Sequence, residues 1–146
     1  MDVKEYLNYP RKLYNEICKD EEKMKEWERL SHSVPSPSFD EPYVDRSRSY
    51  KAPFEKWILK ILDYKPKVEE KYKELFRAKD HLMDTISGLD DPLEQFVLIY
   101  RYVNLLPWDE VFDKMNLEKR RVFAIHSNAI SKLREGEPYD FGREEK

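Results

Sequence analysis

Glycine is almost absent from this chain, and its scarcity limits the folds that the chain can adopt. Only 3 of the 146 residues are glycine, whereas 39% are charged and 40% are hydrophobic. A sheet protein needs many tight turns and runs of β-branched residues, and tight turns draw heavily on glycine. Amphipathic helices need neither, because apolar and charged side chains alternate along them at a period of about 3.6 residues. The composition therefore predicts an all-α protein of one-domain size.

The N-terminal part of the chain predicts two long helices and a linker. Residues 1–30 carry apolar side chains at helical spacing, and we expect Pro10 to kink this helix or to mark its proper start. Residues 31–53 are rich in proline and serine, which sustain no helix and bury little surface, so they predict a flexible, partly disordered linker. Residues 54–88 predict a second long helix.

The second helix carries the pattern of a coiled coil. An alternating four-three spacing is typical of such helices, and here it joins Phe54, Ile58, Ile61, Val68, Tyr72, Leu75, Leu82 and Ile86. We expect Pro66 to kink or split the helix, because proline lacks the backbone donor. The two long helices can bury their apolar stripes as an antiparallel hairpin or by pairing with a second copy as a homodimer. The sequence leaves both arrangements open.

A separate helical domain is predicted for residues 89–136. Gly88 is a suitable C-cap, Asp91 can cap the next helix, Pro92 fits its first position, and Glu94 stands where a capping-box partner belongs. Three helices follow, at about 92–105, 107–115 and 118–134, and Gly136 is placed to end the last one. The polar residues 137–146 predict a loose tail.

The last two predicted helices form a short helix, a tight turn and a longer helix. Asn116 stands at the turn, where a positive φ is often needed and where asparagine is the best substitute for glycine. One side of the longer helix carries an apolar stripe at three-four spacing, formed by Val122, Ile125, Ala129 and Leu133. Its first turn holds Lys119, Arg120 and Arg121, although the partial positive charge of a helix N-terminus disfavours cations there.

Charge is concentrated in this part of the chain. The whole chain has a net charge of −3 and does not attract nucleic acid as a whole. Residues 101–134 contain seven lysines and arginines against four aspartates and glutamates, which gives a local charge of +3. A local basic surface of this kind supplies the phosphate attraction on which DNA binding relies.

Residues 96–133 resemble region 4 of bacterial sigma factors, in the derived form found in small phage and prophage regulators of late transcription. The matching residues are Arg101-Tyr102, Trp108-Asp109-Glu110-Val111, Asn116-Leu117, Val122-x-x-Ile125 and Ala129-x-x-x-Leu133. The resemblance implies a helix-turn-helix that binds double-stranded DNA and regulates transcription in the cytoplasm of a bacterial host cell. Host RNA polymerase is a further partner that it suggests.

The resemblance also implies which residues contact DNA. Lys119, Arg120 and Arg121 fall on the start of the recognition helix, which enters the major groove in helix-turn-helix proteins. Phe123, Ala124 and Asn128 follow on or near its outer face. Phe123 points away from the apolar stripe and is expected to be exposed, where it can touch a thymine methyl group or anchor a protein partner.

Other function classes find little support in the sequence. Its three histidines show no metal-binding spacing, no glycine-rich phosphate loop is present, and no catalytic constellation stands out, so we expect neither an enzyme nor a cofactor or metal. The single cysteine, Cys18, forms no internal disulfide. We see no secretory signal and no apolar run near the ~20 residues that cross a bilayer. These features favour a cytoplasmic protein that does not enter membranes.

Two alternative functions stay open. The first is a DNA-packaging component similar to a small terminase subunit, since those proteins also join a helix-turn-helix to a coiled coil. The second is a protein-interaction module that contacts RNA polymerase or another regulator without binding DNA, with Phe123 as its anchor.

Overall fold

The fold is described from a computed structural model that covers the backbone of residues 1–32 and 46–142 and the side chains of residues 1–32 and 55–142. These residues form five α-helices and no strand: α1 (Val3–His32), α2 (Arg46–Ile86), α3 (Pro92–Leu98), α4 (Trp108–Met115) and α5 (Lys119–Arg134). A π-helical turn at Ile99–Val103, here called the π turn, continues α3. The all-α prediction is confirmed.

The described residues divide into two compact units. The hairpin unit is Asn15–Lys73, and the terminal unit joins Met1–Tyr14 to Glu74–Lys146. Both long helices contribute to each unit. The start of α1 and the end of α2 belong to the same compact unit as α3, α4 and α5, so this unit extends beyond the domain predicted at residues 89–136.

Within the hairpin unit, α1 and α2 run antiparallel. Asp20 of α1 forms an ion pair with Lys71 of α2 at 2.7 Å. Further along α1, the Trp27 ring meets the Tyr64 ring edge-on, with centroids 4.8 Å apart. A residue later in α1 thus contacts a residue earlier in α2, as expected for two antiparallel helices. Of the two arrangements that the sequence left open, the antiparallel hairpin is therefore the one observed, while pairing with a second copy stays a prediction.

Neither Pro10 nor Pro66 interrupts its helix. Helix α1 continues through Pro10 and helix α2 continues through Pro66, so the expected break at Pro10 and the expected split near Pro66 are both wrong. Pro10 is buried, so its packing offsets the lost backbone bond. Pro66 and Leu62 are exposed, so water can reach the carbonyl of Leu62 that the proline leaves without a donor.

The linker is shorter than the sequence predicted. Residues 31–32 end α1, and α2 begins at Arg46, so residues 46–53 are helical rather than part of a linker. Residues 46–52 contain neither proline nor glycine, but Pro53 separates them from the coiled-coil pattern, so the local sequence offered no reason to extend the helix backward. The rest of the predicted linker, residues 33–45, lies outside the described residues.

The coiled-coil pattern marks the inner side of α2. Val68, Leu75, Leu82 and Ile86 are buried, while Ile58 and Ile61 are half-buried. Tyr72 is 42% exposed and departs from the pattern. The side chain of Phe54 lies outside the described residues.

Tyr6 of α1 is the centre of the terminal unit. Its side chain is fully buried, and its hydroxyl forms hydrogen bonds with Thr85 Oγ1 at 2.6 Å and His81 Nδ1 at 2.7 Å. The rings of Tyr139 and Phe141 stack on the Tyr6 ring, with centroids 4.4 and 4.9 Å away. The start of α1, the end of α2 and the C-terminal segment therefore share one core.

The C-terminal segment is docked rather than loose. The N-terminal ammonium of Met1 donates to the carbonyl of Tyr139 at 2.9 Å, and the amide of Tyr139 donates back to the carbonyl of Met1 at 2.9 Å. Glu137 accepts a hydrogen bond from the amide of Val3 at 2.6 Å. The predicted loose tail is wrong for residues 137–142. Although the segment is polar, its two aromatic side chains, Tyr139 and Phe141, pack against Tyr6 and hold it in place. Residues 143–146 lie outside the described residues.

Helices α3, α4 and α5 and the π turn form a three-helix module with a small core of its own. Val97, Val111, Val122 and Ile125 are buried there. Asp91 caps α3 by accepting the amide of Leu93 at 2.9 Å, as predicted. Half-buried apolar side chains close the cluster, namely Leu93, Tyr100, Leu106, Trp108, Phe112, Met115 and Leu117.

Glu94 does not act as the capping-box partner that the sequence suggested. It is buried at 3% exposure, and its carboxylate accepts two hydrogen bonds from Lys132 Nζ at 2.9 and 3.1 Å. The ammonium of Lys132 therefore compensates a buried charge and ties the start of α3 to the last turns of α5. An unpaired carboxylate at this position would be strongly destabilising.

The docking of the C-terminal segment can be tested at Tyr139. We expect Tyr139→Ala to lower the free energy of unfolding by about 2 kcal/mol, because it removes a half-buried ring that stacks on Tyr6. Tyr139→Phe is the matched control: it loses only the hydroxyl that donates to the carbonyl of Leu133 and should cost about 1 kcal/mol or less. Urea denaturation measures both. Equal stability of wild type and Tyr139→Ala would show that the segment is not docked.

Candidate nucleic-acid interface

The turn between α4 and α5 is built on Asn116. This residue has φ 56° and ψ 42°, in the left-handed region, and its amide donates to the carbonyl of Phe112 at 2.9 Å. The positive φ predicted from the sequence is confirmed. The left-handed residue ends α4 at once, so the chain passes through Leu117 and Glu118 and enters α5 at Lys119.

The inner side of α5 is fixed by its apolar stripe. Val122, Ile125, Ala129 and Leu133 are all buried, as predicted, and Ala129 has no exposed surface. Because the stripe is buried along the whole helix, the opposite side of α5 faces away from the module.

Five of the six residues predicted to contact DNA are exposed, and three of them, Arg120, Ala124 and Asn128, lie on that outward side. Lys119, Arg120, Arg121, Ala124 and Asn128 are all exposed. No carboxylate among the described residues forms an ion pair with the three cations. No described side chain therefore compensates the positive charge at the start of α5, which is open to solvent.

The backbone adds to this charge. Glu118 is the N-cap of α5, but its side chain makes no capping hydrogen bond. The first intrahelical hydrogen bond runs from the amide of Val122 to the carbonyl of Glu118 at 3.0 Å. The amides of Lys119, Arg120 and Arg121 come before it and therefore have no acceptor within the helix. A helix start with free amides and a favourable dipole is suited to bind an anion.

Phe123 does not lie where the sequence placed it. It is half-buried, and its ring meets the Trp108 ring at 4.8 Å and the Phe112 ring at 5.5 Å, both edge-on. The expectation of an exposed Phe123 is wrong, because two aromatic rings on α4 cover the flank of α5 next to the apolar stripe. Periodicity within α5 alone could not reveal this contact.

His126 continues the same flank of α5. Its Nε2 lies 2.7 Å from the hydroxyl of Tyr102, which can donate to it when the ring is neutral, and the Trp108 ring meets the imidazole edge-on at 5.0 Å. Burial lowers the pKa of His126, and the charges of Arg101 and Lys4 lower it further. His126 therefore holds the π turn against α5 as a neutral ring.

Sequence reasoning missed one arginine that borders this surface. Arg11, on α1, donates from Nη2 to the carbonyl of Arg101 in the π turn at 2.9 Å. The sequence assigned α1 to packing alone, and no local pattern around Arg11 distinguishes it from other surface cations. Only the folding of α1 onto the module brings it there.

The described side chains offer no grouped set of metal ligands. Within residues 1–32 and 55–142, no three histidine, cysteine, aspartate or glutamate side chains are grouped so that they could hold a metal ion. In the same part of the chain, no helix is long and apolar enough to cross a membrane.

Fold and surface together define the class: all-α proteins in which a long helical hairpin is joined to a three-helix module with a basic outer helix. The chain belongs to the family described as "Protein of unknown function (DUF1492)", whose model matches residues 36–134. The match ends at the last residue of α5 and leaves out α1. No curated protein and no solved structure matches the chain.

The buried state of His126 predicts a pH dependence of stability. The folded state binds a proton on this ring less readily than the unfolded chain, whose histidine has a pKa near 6.5. As the pH falls below about 6.5, the unfolded state gains the proton first, so the free energy of unfolding decreases. We expect His126→Gln to be less sensitive than wild type between about pH 7.5 and pH 5.5. Chemical denaturation across this range measures the difference, and parallel profiles for the two proteins would contradict it.

Proposed function

We propose that this protein is a phage- or prophage-type transcription regulator that binds double-stranded DNA through α4, the turn at Asn116 and α5, used as a sigma region 4-like helix-turn-helix. The observation that carries the proposal is the exposed first turn of α5, where Lys119, Arg120 and Arg121 stand beside three backbone amides and no described residue pairs with either. Its natural setting would be the cytoplasm of a bacterial host cell, and host RNA polymerase is a second partner in this proposal.

The arrangement of α5 supports a role in the major groove. The N-terminal part of a recognition helix contacts base edges, while cations and helix-start amides bind the flanking phosphates. Arg120, Ala124 and Asn128 recur at spacings of four on the outward side, with the cations Lys119 and Arg121 on either side of Arg120. An arginine can read guanine and an asparagine can read adenine, while an alanine can touch the thymine methyl group.

The remaining charges of the module favour the start of α5 as the DNA contact. Lys132 is neutralised by Glu94, and Arg101 is stacked on Trp108 with its guanidinium 4.7 Å from the ring centroid. Asp109 and Glu110 lie in the first turn of α4, and Glu118 precedes α5. A duplex that approaches the module therefore meets the strongest free positive charge at residues 119–121.

The two other functions receive less support. An interaction module anchored by Phe123 would need that ring exposed, whereas it packs against Trp108 and Phe112. A packaging component in a ring-shaped assembly would need further copies of the chain, and ring-shaped oligomers in light scattering would favour it over the regulator.

The proposal predicts salt-dependent DNA binding that depends on the first turn of α5. With duplex from the protein's own locus, we expect wild type to bind with an affinity that falls steeply with salt. Substitution of Lys119, Arg120 and Arg121 by alanine should remove most of the binding and reduce the slope of log affinity against log salt by about 2 to 3. Fluorescence anisotropy over a salt series measures both quantities.

A matched variant controls for net charge. Lys12, Lys19 and Lys25 are exposed lysines on α1, and replacing all three by alanine removes the same charge. We expect this control to keep the wild-type affinity within a few-fold and to keep the slope. A residues 119–121 variant that binds like wild type, or a control that loses binding equally, would refute the assignment to α5.

A further inference from the structure

Two arginines of the terminal unit, Arg11 and Arg101, meet at the π turn, and no described carboxylate neutralises either of them. Arg11 of α1 donates to the carbonyl of Arg101, and Arg101 in turn donates from Nη1 to the carbonyl of Leu106 at 3.0 Å. One terminal nitrogen of each guanidinium is thus fixed to the backbone. Among residues 1–32 and 55–142, whose side chains are described, neither arginine has an ion-pair partner.

The two neighbouring charges are destabilising, and no described residue compensates them. The Nε atoms of Arg11 and Arg101 are both buried without a hydrogen-bond partner. Burial lowers the pKa of Arg101, and the nearby charge of Arg11 lowers it further, as expected for two cations that repel each other. Buried polar atoms are almost always satisfied, and a partly desolvated charge without a counter-ion is destabilising. An anion against the outer ends of the two guanidiniums would relieve the repulsion.

The side chain of Trp108 lies between this arginine pair and α5. The guanidinium of Arg101 covers the Trp108 ring at 4.7 Å, and Trp108 in turn meets Phe123 and His126 of α5. Lys119 precedes Phe123 by one helical turn and therefore lies on the same side of α5. The two arginines thus extend the basic surface of α5 sideways, past its Trp108 flank.

We propose that Arg11 and Arg101 together bind a backbone phosphate of the duplex that α5 contacts, as a second anchor supplied partly by α1. The inference rests on the proposed function and adds a site to it. Arginine forms paired, charge-assisted hydrogen bonds with phosphate, and each guanidinium keeps one terminal nitrogen that no described residue uses.

Such an anchor would orient the module without reading sequence. Contacts to the DNA backbone fix the register and orientation of a protein on the duplex, whereas base contacts select the site. Arg11 lies outside the residues 36–134 that the family model matches, so α1 would bring its own contribution to DNA binding. The same arginine pair could instead hold a carboxylate of a protein partner, and the experiment separates the two.

The test compares Arg11→Gln with Arg11→Lys in the full-length chain. Glutamine keeps a donor for the carbonyl of Arg101 but removes the charge, whereas lysine keeps the charge. For duplex from the protein's own locus and for a scrambled duplex alike, we expect Arg11→Gln to reduce the salt slope of binding by about 0.9, the value for one phosphate contact. Arg11→Lys should keep the wild-type slope.

A second measurement needs no substitution and so does not depend on the stability of a variant. In the wild-type chain, the Nε–Hε signals of Arg11 and Arg101 in NMR spectra should shift when duplex is added. An unchanged slope in Arg11→Gln, or unmoved arginine signals in a chain that does bind duplex, overturns the phosphate anchor and leaves DNA binding by α5 intact. A wild-type chain that binds no duplex at any salt concentration overturns the proposed function, and the anchor with it.

Discussion

The buried hydroxyl of Tyr6 is the interaction on which the terminal unit depends. A phenol taken out of water must find hydrogen-bond partners, and Tyr6 finds them in Thr85 and His81 near the end of α2. Its ring then becomes the platform on which Tyr139 and Phe141 stack. Chain segments that are more than 130 residues apart in sequence are thereby held in one core, as the backbone pairing of Met1 with Tyr139 also shows.

The position of α1 has a direct consequence for the candidate interface. Because Tyr6 fixes the start of α1, Arg11, which lies between one and two helical turns further along, reaches the carbonyl of Arg101 in the π turn. The π turn holds Tyr102 inward against His126, while Arg101 lies over Trp108. The aromatic layer of Trp108, Phe123 and His126 then fixes the flank of α5. The first turn of α5 is exposed and has no such partners among the described residues.

The sequence predicted the three-helix module well because its signals are local. The cap at Asp91, the left-handed residue at Asn116 and the apolar stripe from Val122 to Leu133 each depend on neighbours a few residues away. The exposure of Arg120 followed from that stripe, since a residue opposite a buried face must point outward, whereas Lys119 and Arg121 are exposed in the first turn of the helix.

The expectations that were wrong depend on contacts between distant segments. The polar composition of the tail predicts a loose segment, but its two aromatic rings pack against Tyr6. The spacing within α5 predicts an exposed Phe123, but Trp108 and Phe112 cover it. Pro10 and Pro66 would weaken an isolated helix, but tertiary packing and solvent access decide the outcome here. The pairing of Glu94 with Lys132 replaced a local capping box for the same reason.

The most direct test of the central claim is a titration of the isotope-labelled full chain with duplex from its own locus, followed by NMR amide shifts. The account predicts that the largest shifts fall on the start and outward side of α5, at Lys119, Arg120, Arg121, Ala124 and Asn128. Buried positions such as Ala129 should move little. Shifts concentrated elsewhere in the chain, or no shifts at low salt, would contradict the account.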